Sequence, residues 1–307
     1  MKKNMNMNMN RVTVKTLAFA MALGAGLISC TKAVETLPVP GPAPLVKTRL
    51  ANFEGAEQAL AGENDVTDLR ACLFVGGTLS KVYDAPTPVD GGYGIQLDSH
   101  AGTLYVVANT EGLVDLNALQ ERSISESEWL QLSVAMKDAA PARFFSGKLR
   151  LDGLENAQTE LPVTLKRGVA RFDLQLRTAG VASVKGITLK NAAQSAYLFP
   201  VEGDLSPADV TRQDAVAAIS EPLTKDTQAV LYVYEQENDG LEIVVEAEID
   251  GKATTLRKTL DCALERNKIY TLTVRKDVID VRLDVSFDEW EIRRCELLGV
   301  ISLLSPG

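Results

Sequence analysis

Few residues in this chain could carry out catalysis. His100 is the only histidine, and it lies in a Ser-His-Ala-Gly turn, which excludes a metal site built from several histidines. Glu246 and Glu248 resemble a glycosidase pair in type, but their i, i+2 spacing is typical of the solvated face of a β-strand. The sequence contains no nucleophile elbow, Walker loop or dinucleotide-binding glycine motif. We therefore predict that the protein is not an enzyme and holds no cofactor and no metal.

Cys30 has a different chemistry because of the residues before it. Leu17–Ile28 is an apolar stretch too short to cross a bilayer, and it follows the basic residues Lys2, Lys3, Arg11 and Lys15. This pattern is typical of a signal peptide. Leu27-Ile28-Ser29-Cys30 resembles the lipobox of bacterial lipoproteins, in which the cysteine thiol is acylated. We predict that residues 1–29 are removed and that Cys30 carries a lipid; the alternative is an ordinary secretory signal with a chance cysteine.

The charge and the other cysteines bear on partners and compartment. The formal net charge is −9 at pH 7, and loss of the basic signal makes it more negative, so we expect no binding to nucleic acid. Cys72, Cys262 and Cys295 follow Cys30. An exported protein can form disulfides, but an odd number of cysteines allows one pair at most. A Cys262–Cys295 bond and three unpaired thiols are both open.

The residues after the signal have the pattern of a mainly β protein. Residues 30–50 are predicted to be an extended, lipidated tether, because four prolines between residues 38 and 44 cannot donate to a β ladder. From residue 69 onward, short apolar runs separated by turn residues are typical of a β-sandwich. The predicted strands are Arg70–Val75, Thr103–Asn109, Leu161–Leu165, Ala170–Leu176, Val184–Leu189, Ala196–Phe199, Ile269–Val274 and Val281–Phe287.

Two segments carry clearer local signals. Apolar residues recur every three to five positions in Leu113–Lys137, which predicts one or two short helices, with Ser125 and Glu128 forming a capping box. Ala229–Leu260 holds strong β runs around Asp-Gly steps and is predicted to form a three-stranded meander. The polar stretch Glu202–Thr224 is predicted to be a long loop with one helical turn near residues 214–218.

Four separated segments resemble the fimbrillin family, which comprises the subunits and anchors of surface fimbriae in Bacteroidales. The family has a strand ending in V-x-A-N, a basic R-x-x-A-R-like strand between domains, an E-R-N-x-x-Y strand entry and a late strand ending in an acidic residue and tryptophan. The corresponding segments here are Leu104–Asn109, Leu165–Phe172, Leu264–Leu272 and Asp288-Glu289-Trp290.

This resemblance implies two transthyretin-like β-sandwich domains in tandem with short helices, over residues 51–160 and 161–307. It implies a structural subunit or membrane anchor of cell-surface fimbriae that is held at the cell outer membrane by its lipid and supports adhesion. Its partners would be other fimbrial subunits. Such subunits assemble by β-strand exchange: an arginine-specific protease removes an N-terminal strand, and a terminal strand of another subunit fills the groove.

Two regions are candidates for this exchange. Arg49 lies where stalk precursors of the family carry the cleavage arginine; the alternative is a surface arginine in a linker, and the prolines before it favour a permanently lipidated anchor. The C-terminal tail has apolar residues suited to a donor strand, namely Leu297, Leu298, Val300, Ile301, Leu303 and Leu304. The alternative is that this tail closes the protein's own C-terminal sheet.

The main alternative function is a surface lipoprotein that binds carbohydrate or another host ligand. Carbohydrate sites usually present flat aromatic side chains to sugar rings. The tryptophans here are Trp129 and Trp290, and each lies in an apolar pattern that indicates a core position. The sequence therefore favours the fimbrial function.

Overall fold

The computed structural model describes residues 45–54, 59–84, 86–90, 92–154, 160–276 and 281–287. Over these residues the protein is mainly β with two short helices, as predicted. The elements in chain order are β1 (Leu45–Leu50), β2 (Leu69–Val75), β3 (Thr78–Tyr83), β4 (Thr87–Val89), β5 (Gly92–Gln96), β6 (Thr103–Ala108), α1 (Leu116–Glu121), α2 (Glu126–Leu130), β7 (Ser133–Ala135), β8 (Phe145–Arg150), β9 (Glu160–Arg167), β10 (Val169–Thr178), β11 (Ala182–Ala193), β12 (Ser195–Tyr197), β13 (Arg212–Val216), β14 (Thr227–Tyr234), β15 (Glu242–Ile249), β16 (Lys252–Thr259), β17 (Ile269–Lys276) and β18 (Val281–Phe287).

The N-terminal half is one sheet with the strand order β3-β2-β6-β8-β9-β1-β5-β4. Its two ends share a core, because apolar residues of β2 and β6 cluster with apolar residues of β1, β5 and β9. Strict alternation places them there: in β9, Leu161, Val163 and Leu165 are buried while Glu160 and Lys166 are exposed. The N-terminal sheet thus forms a sandwich with itself and runs past the predicted boundary at residue 160 to Arg167.

The C-terminal half consists of two four-stranded sheets, in the orders β14-β10-β17-β18 and β13-β11-β15-β16. A single apolar core lies between them and draws on both sheets, for example on Phe172 and Leu272 from one and on Leu189 and Val245 from the other. This arrangement is the β-sandwich that the alternating strands predicted.

A third core joins the two halves. It contains Trp129 from α2, Phe74 and Tyr105 from the N-terminal sheet, and Phe199 and Tyr234 from the C-terminal half. The ring centroids of Tyr105 and Phe199 lie 4.8 Å apart, and those of Trp129 and Phe199 lie 5.6 Å apart. The small sheet of β7 and β12 also pairs residues of one half with residues of the other. The described residues consequently pack as one compact unit.

Gly168 marks the point where the chain leaves the N-terminal sheet for the C-terminal one. A Cβ atom at this position would lie 2.1 Å from the Phe144 ring, so only glycine fits. The amide of Gly168 donates to the Phe144 carbonyl at 2.9 Å. The break that the sequence predicts between the strands before and after Gly168 is therefore confirmed, and close packing is its cause.

Several local predictions are confirmed. The eight predicted strands lie in β2, β6, β9, β10, β11, β12, β17 and β18 with bounds that differ by a few residues. Both short helices form within Leu113–Lys137, and Ser125 and Glu128 make the predicted reciprocal capping box. Trp290 lies outside the described residues, so its predicted core position stays a prediction.

Three local predictions are wrong. Leu45–Leu50 forms strand β1, so an extended tether that reaches residue 50 is incorrect. The helical turn near residues 214–218 is replaced by β13, in which Ala215 faces the core between the exposed Asp214 and Val216. β13 pairs with β11, and this distant partner stabilises a segment whose own β signal is weak.

The predicted meander over Ala229–Leu260 is the third error. β15 and β16 form the expected hairpin, but β14 belongs to the opposite sheet, where its partner is β10. The Asp239-Gly240 step therefore connects two sheets rather than two neighbouring strands. The buried Glu235 and Gln236 lie in this connection, where Glu235 pairs with Arg266 and the Gln236 side chain accepts from the Ala193 amide at 2.8 Å.

We predict that Trp129→Ala destabilises the protein by roughly 3–5 kcal/mol, because the indole is fully buried in the core that joins the halves. The indole nitrogen has no hydrogen-bond partner among the described residues, so Trp129→Phe should cost much less. Chemical denaturation monitored by circular dichroism measures both changes. Equal losses for the two variants would contradict this assignment of the stability to packing.

Candidate functional site

β1 occupies an inner position in the N-terminal sheet although it is the first strand of the described chain. It pairs antiparallel with β5, with Thr48 opposite Tyr93. On its other side it pairs parallel with β9 along its whole length, from Leu45 opposite Glu160 to Leu50 opposite Leu165. We define the space between β5 and β9 that β1 fills as the β1 lane.

The side chains of β1 alternate between the core and the surface. Val46 is fully buried and Thr48 is buried, and the Thr48 hydroxyl donates to the Tyr93 carbonyl at 3.3 Å. On the outer face, Lys47 forms an ion pair with Glu160 at 2.7 Å. A strand in this lane therefore needs small or apolar residues inward, and it meets a carboxylate at the rim.

Gly92 allows β5 to approach β1 closely. A Cβ atom on Gly92 would lie 1.8 Å from the carbonyl oxygen of Thr48, which is backbone and cannot move aside as a flexible side chain can. A strand in the lane is thus held by backbone groups on both sides and by an apolar floor. If β1 left the lane, the facing edges of β5 and β9 and the pocket of Val46 would be open.

Arg49, the predicted cleavage residue, lies within β1. Its side chain is exposed, and its Nε donates to Thr164 Oγ1 at 2.9 Å. The bond after Arg49 belongs to a strand paired on both sides, so a protease that binds an extended substrate requires β1 to leave the lane first. The sequence pattern missed this strand because the prolines before residue 45 indicate a linker.

A second site lies where the two halves meet, and the family-like motifs supply most of it. We define the polar junction as Glu63, Arg167, Arg171, Tyr232 and Asn267. Arg171 forms an ion pair with Glu63 at 3.0 Å, and the Tyr232 hydroxyl donates to the same carboxylate at 2.8 Å. Both charged side chains are 1 % exposed. The sequence identified the two arginines and Asn267, but no motif pointed to Glu63.

Arg167 and Asn267 complete the polar junction. The Arg167 guanidinium donates to the Glu63 carbonyl at 3.2 Å, to the Ala51 carbonyl at 2.6 Å and to the side-chain oxygen of Asn267 at 3.2 Å. Asn267 has a positive φ of 60°, which asparagine tolerates better than most residues. Its amide donates to the Val169 carbonyl at 2.8 Å. The basic strand and the E-R-N entry are thus brought into direct contact.

The electrostatics of the polar junction follow from burial and pairing. Burial alone raises the pKa of Glu63, but hydrogen bonds from the Leu60 amide, Tyr232 and Arg171 outweigh it and hold this pKa below its ordinary value. Desolvation lowers the pKa of Arg167. For Arg171, desolvation is outweighed by Asp173 and Glu63, which raise its pKa. All three groups therefore stay charged at neutral pH.

Arg266 makes a further buried link between the halves. It pairs with Glu235 and donates to the Tyr197 carbonyl at 2.7 Å. It also donates to Ser146 Oγ, in the N-terminal sheet, at 3.3 Å. The remaining motif residue, Asn109, has a positive φ of 58° and its side chain accepts from the Thr67 amide at 2.8 Å. The motif side chains thus hold backbone together rather than face a ligand.

The other predicted residues lie apart from both sites. Glu246 is exposed, and Glu248 pairs with Lys185 at 2.6 Å on the sheet surface. Trp129 is fully buried and presents no flat face to a sugar. Burial raises the pKa of the Cys72 thiol to about 12. His100 is half-buried in its turn.

Several predicted features lie outside the described residues: Cys30, Cys295 and the tail residues Leu297, Leu298, Val300, Ile301, Leu303 and Leu304. Cys262 is half-buried beside the C-terminal core. Within the described ranges, no cluster of acidic, histidine and cysteine side chains could hold a metal ion. None of the described helices has the length and apolar character needed to cross a bilayer.

Solved structures similar to this chain include fimbrial and cell adhesion proteins. The tip fimbrial protein Mfa3 from Porphyromonas gingivalis, with a C-terminal truncation, has a TM-score of 0.57 and 15% identity over 82% of this chain and 100% of its own. A candidate cell adhesion protein from Parabacteroides distasonis has a TM-score of 0.55 and 15% identity over 81% and 96% of the two chains. Another candidate cell adhesion protein, from Bacteroides eggerthii, has a TM-score of 0.54 and 14% identity over 82% of this chain and 97% of its own.

No protein-family model matches the sequence, and no curated protein does either. The similarity therefore lies in the fold, and at these identities it concerns the fold alone. The mainly β, sandwich-type fold predicted from the fimbrillin resemblance is confirmed, whereas the tandem arrangement of two transthyretin-like domains stays a prediction.

We predict that Glu63→Gln lowers the free energy of unfolding by roughly 2 kcal/mol or more at pH 7, because it removes the charged partner of the buried Arg171. The folded pKa of Glu63 is depressed, so its contribution to stability is complete above the ordinary pKa of a glutamate and is lost as pH falls through the folded pKa. The stability difference between wild type and variant should therefore narrow in acid. Denaturation curves at several pH values measure it.

Glu248→Gln is the matched control for this experiment. Its carboxylate also pairs with a cation, Lys185, but on the exposed sheet surface, where ion pairs contribute little. Its stability should stay near that of wild type at every pH. A Glu63 effect that is no larger than the Glu248 effect, or that grows in acid, would refute the role given to Glu63.

Proposed function

We propose that this protein is a structural subunit or membrane anchor of cell-surface fimbriae, a member of the fimbrillin family that supports adhesion. In this proposal a lipid on Cys30 holds it at the cell outer membrane, and other fimbrial subunits are its partners through β-strand exchange. The fold shared with the tip fimbrial protein Mfa3 supports this proposal, as do the lipobox and the ordered motifs of the sequence.

The observation that carries the proposal is the inner position of β1. A strand at the beginning of the described chain that lies between β5 and β9 can be replaced without breaking any connection between the other strands. The lane that it would leave combines unpaired backbone edges with an apolar floor, which is the form of site that binds an added strand. The carbohydrate-binding alternative has no comparable support, since Trp129 is in the core.

Arg49 gives this exchange a control point. An arginine-specific protease that cuts after Arg49 would leave Leu45–Arg49 in the lane without a covalent link to the sheet, so that another strand can displace it. If the bond stays intact, β1 remains in place and the protein acts as a permanent anchor. The peptide bond after Arg49 lies near the C-terminal end of β1. Its cleavage therefore determines whether β1 can be displaced or stays as part of a permanent anchor.

The sequence of the C-terminal tail matches the inward residues of β1 in one register. The inward residues of β1 are Val46, Thr48 and Leu50, and the tail repeats this series as Val300, Ser302 and Leu304. A tail strand running in the direction of β1 would thus place residues of similar size and polarity at each inward position. We propose that Val300–Leu304 is the core of the donor strand.

We predict that metabolic labelling with a palmitate analogue marks the wild-type protein and fails to mark Cys30→Ala, because acylation requires that thiol. Cys295→Ala is the control, and it should label as wild type does. Label retained on Cys30→Ala would remove the lipid anchor from the proposal and leave strand exchange to be judged by the next experiment.

We also predict that cysteines at Tyr93 and Ser302 form an intermolecular disulfide in purified fimbriae. Tyr93 lies opposite Thr48, whose place Ser302 would take in the proposed register. Non-reducing electrophoresis of the double variant Tyr93→Cys/Ser302→Cys should show covalent multimers, whereas either single variant should not. The register control is Tyr93→Cys/Leu303→Cys, in which the tail cysteine would point to the opposite face. Equal cross-linking by both double variants, or none by either, would contradict the proposed register.

A further inference from the structure

The residues that follow β1 are held very differently from β1 itself. The Ala51 amide donates to the Leu165 carbonyl of β9 at 2.8 Å, and the Ala51 carbonyl accepts from the buried Arg167 guanidinium at 2.6 Å. Ala51 thus continues along the edge of β9, but a charged side chain of the polar junction now fixes its backbone. A hydrogen bond to a charged donor is about twice as strong as a neutral one.

Asn267 fixes the next part of the segment from the other half of the protein. Its side-chain amide donates to the Asn52 carbonyl at 2.8 Å, and its own carbonyl accepts from the Glu54 amide at 2.8 Å. Glu54 also pairs with Lys166 at 3.0 Å. The chain between Ala51 and Glu54 is therefore bound to both halves.

Phe53 completes the attachment. Its ring is 2 % exposed, and the guanidinium carbons of Arg167 and Arg171 lie 4.5 and 5.2 Å from the ring centroid. A cation above an aromatic ring is attracted by its electron-rich face, more strongly where water is excluded. Removing Phe53 would uncover two buried positive charges, so this residue cannot leave as readily as the side chains of β1.

From these contacts we infer that Ala51–Glu54 is a fixed stop at the end of the β1 lane, and that it limits the strand that replaces β1 to the positions from Leu45 to Leu50. Arg167, Asn267 and Phe53 are the positioning residues of this stop. The inference rests on the proposed strand exchange and adds to it the length and the end point of the partner strand. The proposed donor core meets this limit, since Leu304 would lie at the position of Leu50, which becomes the first residue of the cut chain and must turn out of the lane.

The stop predicts how binding to the β1 lane depends on the length of an added peptide. The full exported chain is cut after Arg49 with an arginine-specific protease, the product is identified by mass spectrometry, and the protease is inhibited. Two fluorescent peptides with the sequences of residues 45–50 and 45–54 are then titrated into it. The two peptides should bind to the cut wild-type protein with dissociation constants within about twofold of each other. The four additional residues of the longer peptide gain no contacts, because the native Ala51–Glu54 already occupies their positions.

Asn267→Gly should release the stop. Glycine adopts the positive φ of this position, so the backbone bonds remain while the side-chain bonds to Asn52 and Arg167 are lost. The longer peptide should then bind about fivefold or more tightly than the shorter one, since it gains hydrogen bonds that the native segment has given up. Phe53→Leu keeps an apolar side chain and should shift the ratio in the same direction.

Asn191→Gly is the matched control, because Asn191 also has a positive φ, of 62°, and lies in β11, away from the stop. It should leave the two peptides equal. A longer peptide that binds more tightly to wild type, or equal binding in both Asn267→Gly and Phe53→Leu, would overturn the stop and leave strand exchange standing. If neither peptide binds to cut wild type, strand exchange fails and the stop fails with it.

Discussion

Among the described residues, Arg167, Arg171 and Arg266 are buried where the two β halves meet, with 3 %, 1 % and 6 % of each residue exposed. A buried charge costs several kcal/mol of desolvation, and this is recovered only when charged partners and acceptors surround it. Those partners come from both halves: Glu63 and the Ala51 carbonyl from one, Asn267 and Glu235 from the other. Separating the halves would therefore leave charges uncovered, and this requirement fixes how they are joined.

The same requirement divides the chain around β1 into two parts, one that another strand could replace and one that is fixed in place. Up to Leu50, the chain is held by a backbone ladder and by apolar contacts, and any strand with similar inward residues can supply these. From Ala51 onward, the side chains of Arg167 and Asn267 hold backbone carbonyl groups, and the buried Phe53 lies against two guanidinium groups, so in the proposed exchange this segment stays in place when β1 leaves. The boundary between replaceable and fixed chain thus lies one residue after Arg49 in space and in sequence. A cut after Arg49 would release the replaceable part except Leu50, which stays linked to Ala51, without disturbing the buried charges.

The sequence predicted the mainly β fold and most strands, because alternating side chains record which face is buried. Ile243, Val245 and Ala247 are buried in β15 as that alternation requires. This alternation does not predict which strands pair when they are distant in the sequence. Nothing within residues 229–260 indicates that β14 pairs with β10 and β15 with β11. The motifs located Arg167, Arg171 and Asn267, but Glu63 lies in a short turn with no pattern, and its role appears only once Tyr232 and Arg171 are brought to it.

If strand exchange operates as proposed, β1 also protects the protein before a partner binds. An open lane would expose backbone edges of β5 and β9 together with an apolar floor, and such an edge associates with any free strand. A strand that belongs to the chain fills the lane without the entropic cost of association, so it protects the lane for as long as the covalent link lasts. Once the bond after Arg49 is cut, Leu45–Arg49 loses this advantage and competes as a separate peptide against the apolar donor strand. Cleavage would thus favour exchange even though no contact within the lane changes, whereas the uncut protein keeps its lane filled.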